Sequence, residues 1–214
     1  MNPRQRSVRH SNGGQARHPA RFAAAQWRKG ERRRRGRNRR FVENRIMLPE
    51  LQTRFDTIET QKTEILRRVR ALDDARLNAA PKPGEWSPRE IVQHLVMAEE
   101  STVAQIAAAK TAQKPLKKWL MTPVPFVIAI LRAGIRVPAP ASMMPVSSVT
   151  LEETIAVWDE QRTNLHAHLD TVTDSRIPSA LHPAFGPLDA VQLLDITDSH
   201  LTYHRKQLDR LGIR

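Results

Sequence analysis

Cysteine is absent from the 214 residues. That excludes a disulfide scaffold, a thiol nucleophile of the protein's own, and any Cys-ligated zinc or iron–sulfur site. Aromatics make up 5% of the chain and there are eight glycines, which argues against an aromatic-rich barrel or a collagen-like fibre. No period-2 alternation of strand length is present, so no strand is expected. Long hydrophobic runs are also missing. The most apolar stretch, residues 119–131, is 13 residues long and contains Pro123 and Pro125, too short for a membrane span. No apolar run of signal-peptide length follows the basic N-terminus, so the expectation is a cytoplasmic protein without membrane contact. What remains is a chain that is 40% hydrophobic, enough for one core.

The net charge of +13 would ordinarily suggest a polyanionic partner. Its distribution alters that reading. Residues 1–46 hold 14 Arg and one Lys against two Glu, whereas residues 47–214 hold 20 bases and 20 acids. The first 46 residues are therefore expected to be a disordered, basic N-terminal tail, because like charges repel and little apolar surface is available to bury. The tail could be a nucleic-acid-binding arm, a solvated extension, or a segment that the natural protein does not carry. The last is favoured, with Met47 as the true start, because the composition changes just where helical periodicity begins. Nucleic acid is then an expected partner only through residues 1–46.

From Met47 onward, apolar residues recur at helical spacing. Leu51, Phe55, Ile58, Ile65, Leu66, Val69 and Leu72 form one face of a first helix, with Pro49 in its first turn. Ser87-Pro88-Arg89-Glu90 is a capping box with Pro at the first helical position, and it opens a second helix to about Thr111. Prolines 115, 123, 125, 138, 140 and 145 interrupt residues 115–149, where a short helix over 126–135 or a lid is expected. Thr150-Leu151-Glu152-Glu153 opens a third helix to about Val172. A loop over 173–187 follows, and then a fourth helix capped by Asp189 with Gln192 and ended by Gly212. The expected architecture is all-α, a four-helix bundle over residues 47–214.

Six histidines lie in this body. His166 and His168 are two apart and are read as surface residues; His182 sits in a loop before Pro183. His200 and His204 are different, because a spacing of four puts both on one helix face. His94 lies on the inner edge of the second helix, beside Leu95. Imidazole is the common ligand of borderline divalent metals, and three such ligands leave positions open for water or substrate. Spacing alone leaves the alternative that these are satisfied core histidines. The residues between His200 and His204 are Leu201, Thr202 and Tyr203, so no H-E-x-x-H metalloprotease motif is formed.

The segment Pro81-Lys82-Pro83-Gly84-Glu85-Trp86-Ser87-Pro88-Arg89-Glu90-Ile91-Val92-Gln93-His94-Leu95, followed by Glu99-Glu100, resembles the first signature of the DinB/YfiT-like superfamily. His182-Pro183-Ala184-Phe185-Gly186-Pro187-Leu188 and His200-Leu201-Thr202-Tyr203-His204-Arg205-Lys206-Gln207-Leu208 resemble its second. Residues 138–145 are also similar to that group, and the resemblance covers about residues 47–213. It implies a four-helix bundle, often a homodimer, with a divalent metal, zinc or nickel, on His94, His200 and His204. Relatives include thiol-dependent transferases and isomerases that use bacillithiol, mycothiol or glutathione. In a chain without Cys such a low-molecular-weight thiol comes from outside. The expected function is a metal-dependent transferase or hydrolase that activates a thiol or water against a small electrophilic molecule. Gln207 would then orient a ligand from behind, and Trp86 would anchor the helix start. The alternative is a non-catalytic bundle stabilised by its metal.

Overall fold

The computed structural model describes residues 47–111, 124–136, 138–145, 149–182 and 185–214. The expectations for the tail, residues 1–46, lie outside the described residues, as does most of the apolar stretch before residue 124. Four long helices carry the fold: α1 (Pro49–Arg70), α3 (Pro88–Thr111), α5 (Leu151–Leu169) and α6 (Ala190–Arg210). Between them lie two short helices, α2 (Asp74–Asn78) and α4 (Val124–Ala133), a 3-10 turn (Ala141–Met143), and two strands, β1 (Pro178–His182) and β2 (Gly186–Asp189). Helix α1 packs on α6, α3 packs on α5, and α3 also meets α6 across the bundle. Among the described residues, no helix is long and apolar enough to cross a membrane.

The helix starts follow from side chains that satisfy free backbone N–H groups. At α3, the Ser87 N–H donates to Glu90 Oε2 at 2.8 Å and the Glu90 N–H donates to Ser87 Oγ at 3.3 Å. Thr150 with Glu153 and Asp189 with Gln192 form the same reciprocal box at α5 and α6. Gly212, at φ +72°, lets the chain turn back so that the Ile213 N–H reaches the Leu208 carbonyl at 3.0 Å and ends α6. The core is the sum of the helix stripes, with Leu51, Ile58, Ile65, Ile91, Leu95, Trp158, Leu169, Leu194, Leu201 and Leu208 fully buried.

The structure corrects the expected elements in two places. The stretch expected as loop contains an antiparallel pair, with Leu181 opposite Pro187 and His182 opposite Gly186. Strands of five and four residues are too short to display an alternation, and Pro178 and Pro187 mask it further. Burial of Ala180 and Leu188, together with packing of β1 on α3, holds the pair in place. Helix α2 was also unforeseen; the Asp73 side chain caps it by accepting from the Arg76 N–H at 2.7 Å.

One buried charge cluster lies between α1, α3 and α5. Arg162, 3% exposed, donates through Nη2 to Glu99 Oε1 at 2.6 Å, and its Nη1 lies 3.4 Å from Glu59 Oε1. Lys62 pairs with Asp159 at 2.6 Å. Both cations flank the Trp158 ring, at 5.6 and 5.9 Å from its centroid. Burial raises the Glu99 pKa, while Arg162 pulls it back towards the charged form. Removing one member leaves the other buried without its hydrogen-bonded counter-ion. Arg162→Met is therefore expected to cost about 3–5 kcal/mol in urea unfolding, and the double change Arg162→Met with Glu99→Leu to recover most of that loss.

Candidate metal centre

Helix α3 delivers His94 two turns after its cap, and α6 delivers His200 and His204 from one face. The structure brings all three together. His200 Nε2 lies 3.3 Å from His94 Nε2 and 3.1 Å from His204 Nε2. One nitrogen from each ring falls within 4.8 Å of the others. Two nitrogens on one tetrahedral zinc, with bonds of about 2.0–2.1 Å, stand about 3.3 Å apart, so these separations match those of donors to a shared ion. His94 and His204 are buried and His200 is half-buried as a whole residue.

Two of the three rings are held from behind. His94 Nδ1 lies 3.0 Å from the Met143 carbonyl oxygen, and His204 Nδ1 lies 2.9 Å from Gln207 Oε1. A carbonyl oxygen only accepts, so each contact is a hydrogen bond in the tautomer that carries its proton on Nδ1 and turns the Nε2 lone pair inward. Trp86 forms a wall. Its ring centroid is 4.5 Å from that of His94, and it stacks at 19° on His204 with centroids 6.2 Å apart. Tyr203 meets His204 edge-on at 4.8 Å.

Burial keeps the cluster neutral. It pushes the His200 pKa down to about 3, with a second contribution from His94. It holds His204 well below the ordinary imidazole value, with further contributions from the neighbouring rings, and it lowers His94 despite the Met143 hydrogen bond. Neutral imidazoles with inward lone pairs are the form that binds a cation. The donor set therefore fits a borderline divalent metal.

The other histidines are elsewhere. His182 closes the β1–β2 hairpin, where it accepts from the Phe185 N–H at 3.1 Å and stacks on the Phe185 ring at 4.1 Å. His166 pairs with Asp170 at 3.1 Å. His168 is a correction, being 8% exposed rather than a surface residue. It continues the buried stripe Trp158, Gln161, Leu165, whose helical spacing prevails over the polarity of the imidazole. Trp86 and Tyr203 were not assigned to the centre from sequence, although Trp86 precedes the cap and Tyr203 precedes a ligand. Met143 contributes a backbone carbonyl, for which side-chain type carries no signal.

The sequence profile of the DinB superfamily matches residues 57–208. The chain is similar to the uncharacterized protein YuaE of Bacillus subtilis (strain 168), 26% identical over 154 residues that span 70% of this chain and 91% of the relative. Among solved structures it is similar to YfiT from Bacillus subtilis, described as a probable metal-dependent hydrolase with an unusual four-helix bundle topology. That match has a TM-score of 0.53 at 16% identity, over 81% of this chain and 95% of the other. The four-helix bundle protein TT2238 matches with a TM-score of 0.48 at 22% identity, over 75% and 98% of the two chains. The likeness to YfiT is one of fold.

Burial pushes the His168 pKa down to about 4, and neither ring nitrogen has a hydrogen-bond partner among the described residues. An unfolded histidine titrates near 6.5, so below that pH the unfolded chain binds the extra proton and folding weakens as pH falls towards 4. His168→Leu should be neutral or stabilising at pH 7. It should also remove roughly 1–2 kcal/mol of the stability lost between pH 7 and pH 5, as read by urea titrations at the two pH values.

Proposed function

The chain belongs to the DinB superfamily, and from that premise we propose that it is a metal-dependent hydrolase or thiol transferase acting on a small electrophilic molecule. His94, His200 and His204 would hold one divalent cation, zinc or nickel. The observation that carries this reading is the convergence of three neutral imidazole nitrogens, with separations of 3.1 and 3.3 Å. A cation held there supplies Lewis-acid chemistry, acidifying a bound water or thiol and polarising an electrophile. The chain itself offers acceptors to the Nδ1 atoms of His94 and His204 through Met143 and Gln207, which favours the ligating tautomer, and Trp86 covers the site beside them. Three protein ligands leave coordination positions for the reacting molecules, whereas a closed structural site carries four.

The description of YfiT as a probable metal-dependent hydrolase supports the hydrolytic branch. In the transfer branch the thiol is a low-molecular-weight cofactor, because the chain has no Cys. A homodimer belongs to the same reading, supported by apolar side chains facing solvent near α4, with Phe126 60% and Ile135 55% exposed. The non-catalytic alternative has one observation in its favour: the histidines join α3 to α6, as a structural ion would.

Elemental analysis and a chelator-competition titration test the centre. The wild-type chain is expected to bind one divalent ion per chain, and His200→Ala to lose it. Gln207→Leu should weaken metal affinity about 10–100-fold, because it removes the acceptor behind His204. Ester, amide and thiol-acceptor panels with the loaded protein then separate catalysis from a structural role. A wild-type chain that takes up no zinc or nickel would sink both branches.

A further inference from the structure

The described part of the segment between α3 and α5 is tied to the ligand-bearing helices at two points. On the α4 side, Lys206 Nζ donates to the Arg132 carbonyl at 2.6 Å and Arg132 pairs with Asp198 at 3.2 Å, both partners lying on α6. On the other side, Arg89 Nη1 donates to the Val149 carbonyl at 2.7 Å, beside the start of α3. Between these ties, residues 138–145 contain the 3-10 turn Ala141–Met143. The Met143 N–H donates to the Pro140 carbonyl at 2.8 Å and the Met144 N–H to the Ala141 carbonyl at 3.4 Å. The turn buries little of itself, and Met144 is 48% exposed. Its described hydrogen bond to a side chain of α3 is the one from His94 to the Met143 carbonyl.

That bond requires a proton on His94 Nδ1. A neutral imidazole has a second tautomer, with the proton on Nε2, which could be donated to His200 Nε2 at 3.3 Å. In that tautomer the Nδ1 lone pair faces the Met143 oxygen, two acceptors meet, and the turn loses its tie. A cation on Nε2 removes the choice, because the ligating nitrogen must carry a lone pair.

We propose that Met143 is a positioning residue of the histidine centre and that closure of the turn at residues 138–145 onto His94 is thermodynamically coupled to metal loading. The proposal rests on the metal reading above and goes beyond it, since it makes the turn a sensor of occupancy. Coupling of this kind is reciprocal: the factor by which the ion closes the turn equals the factor by which a loosened turn weakens the ion.

Hydrogen–deuterium exchange on the full chain tests it, comparing chelator-treated with zinc-loaded protein. Zinc is expected to slow exchange of the Met143 and Met144 amides about tenfold in the wild type and not in His94→Ala. Loosening the turn with Pro140→Gly plus Ala141→Gly raises the entropy of its open state. Zinc affinity should fall about three- to tenfold in chelator competition, a loss read separately from the small drop in melting that the same substitutions cause in the metal-free protein. If the wild type binds zinc and the two amides exchange at the same rate with and without it, this proposal is wrong and the metal reading stands. If the wild type binds no zinc, both are wrong.

Discussion

Three imidazoles whose Nε2 atoms meet at 3.1 and 3.3 Å inside a helical bundle can share one cation only if they stay neutral and if each proton points away from the others. The rest of the candidate centre follows from that constraint. Desolvation enforces neutrality, lowering all three pKa values and taking His200 to about 3. Outward protons then need acceptors that cannot themselves donate, and carbonyl oxygens meet the requirement. Gln207 supplies one from the next turn of α6, while Met143 supplies the other from 49 residues away. Trp86 restricts the ring planes by stacking rather than by hydrogen bonding. The excursion between α3 and α5 thus has a chemical reason to return to the site.

Helix α3 is where the two polar features of the interior meet. One part of it carries His94 towards α6, and another carries Glu99 towards Arg162 on α5. A buried ion pair adds little net stability over an apolar pair, but an unpaired member is costly. A rotation of α3 about its axis would both strand Glu99 and pull His94 Nε2 away from His200. Fixing the helix by one polar contact therefore also aims the other, and the aim of a histidine matters because metal ligation is sensitive to displacements well under an ångström.

The features legible in the sequence share a property: each depends on residues close together along the chain. The capping boxes at Ser87, Thr150 and Asp189 mark the helix starts within one residue, because a cap and its partner are three residues apart. The His200–His204 pair was visible as a spacing of four. His94 was reached from its place on a helix edge and from the surrounding motif, and the structure sets it beside the pair. The features not legible depend on distant partners. The β1–β2 pair is held by tertiary burial of Ala180 and Leu188, and four or five residues are too few to announce a strand. The role of Met143 resides in its backbone, which every residue type shares. His168 is a local feature of the same kind, because its spacing from Leu165 and Gln161 buries it despite its polarity.

The same division between local and distant interactions bears on what a bound ion would do to the fold. His200, His204 and Gln207 lie on two turns of one helix, and their mutual arrangement requires little beyond α6 being helical. His94 arrives only when α3 has docked against α6, and its proton is correctly placed only when the 3-10 turn has docked on α3. An ion on all three rings therefore favours the docked state over one in which α6 alone is formed. Free ion at a hundred times its dissociation constant would add about 2.7 kcal/mol to the folded state. That is comparable to the net contribution of a few hydrogen bonds. Most of that increment acts on the α3–α6 contact and on the turn, because those are the parts the ion needs and α6 does not provide. Metal loading and closure of the candidate site are in this sense one equilibrium, read at two places in the chain.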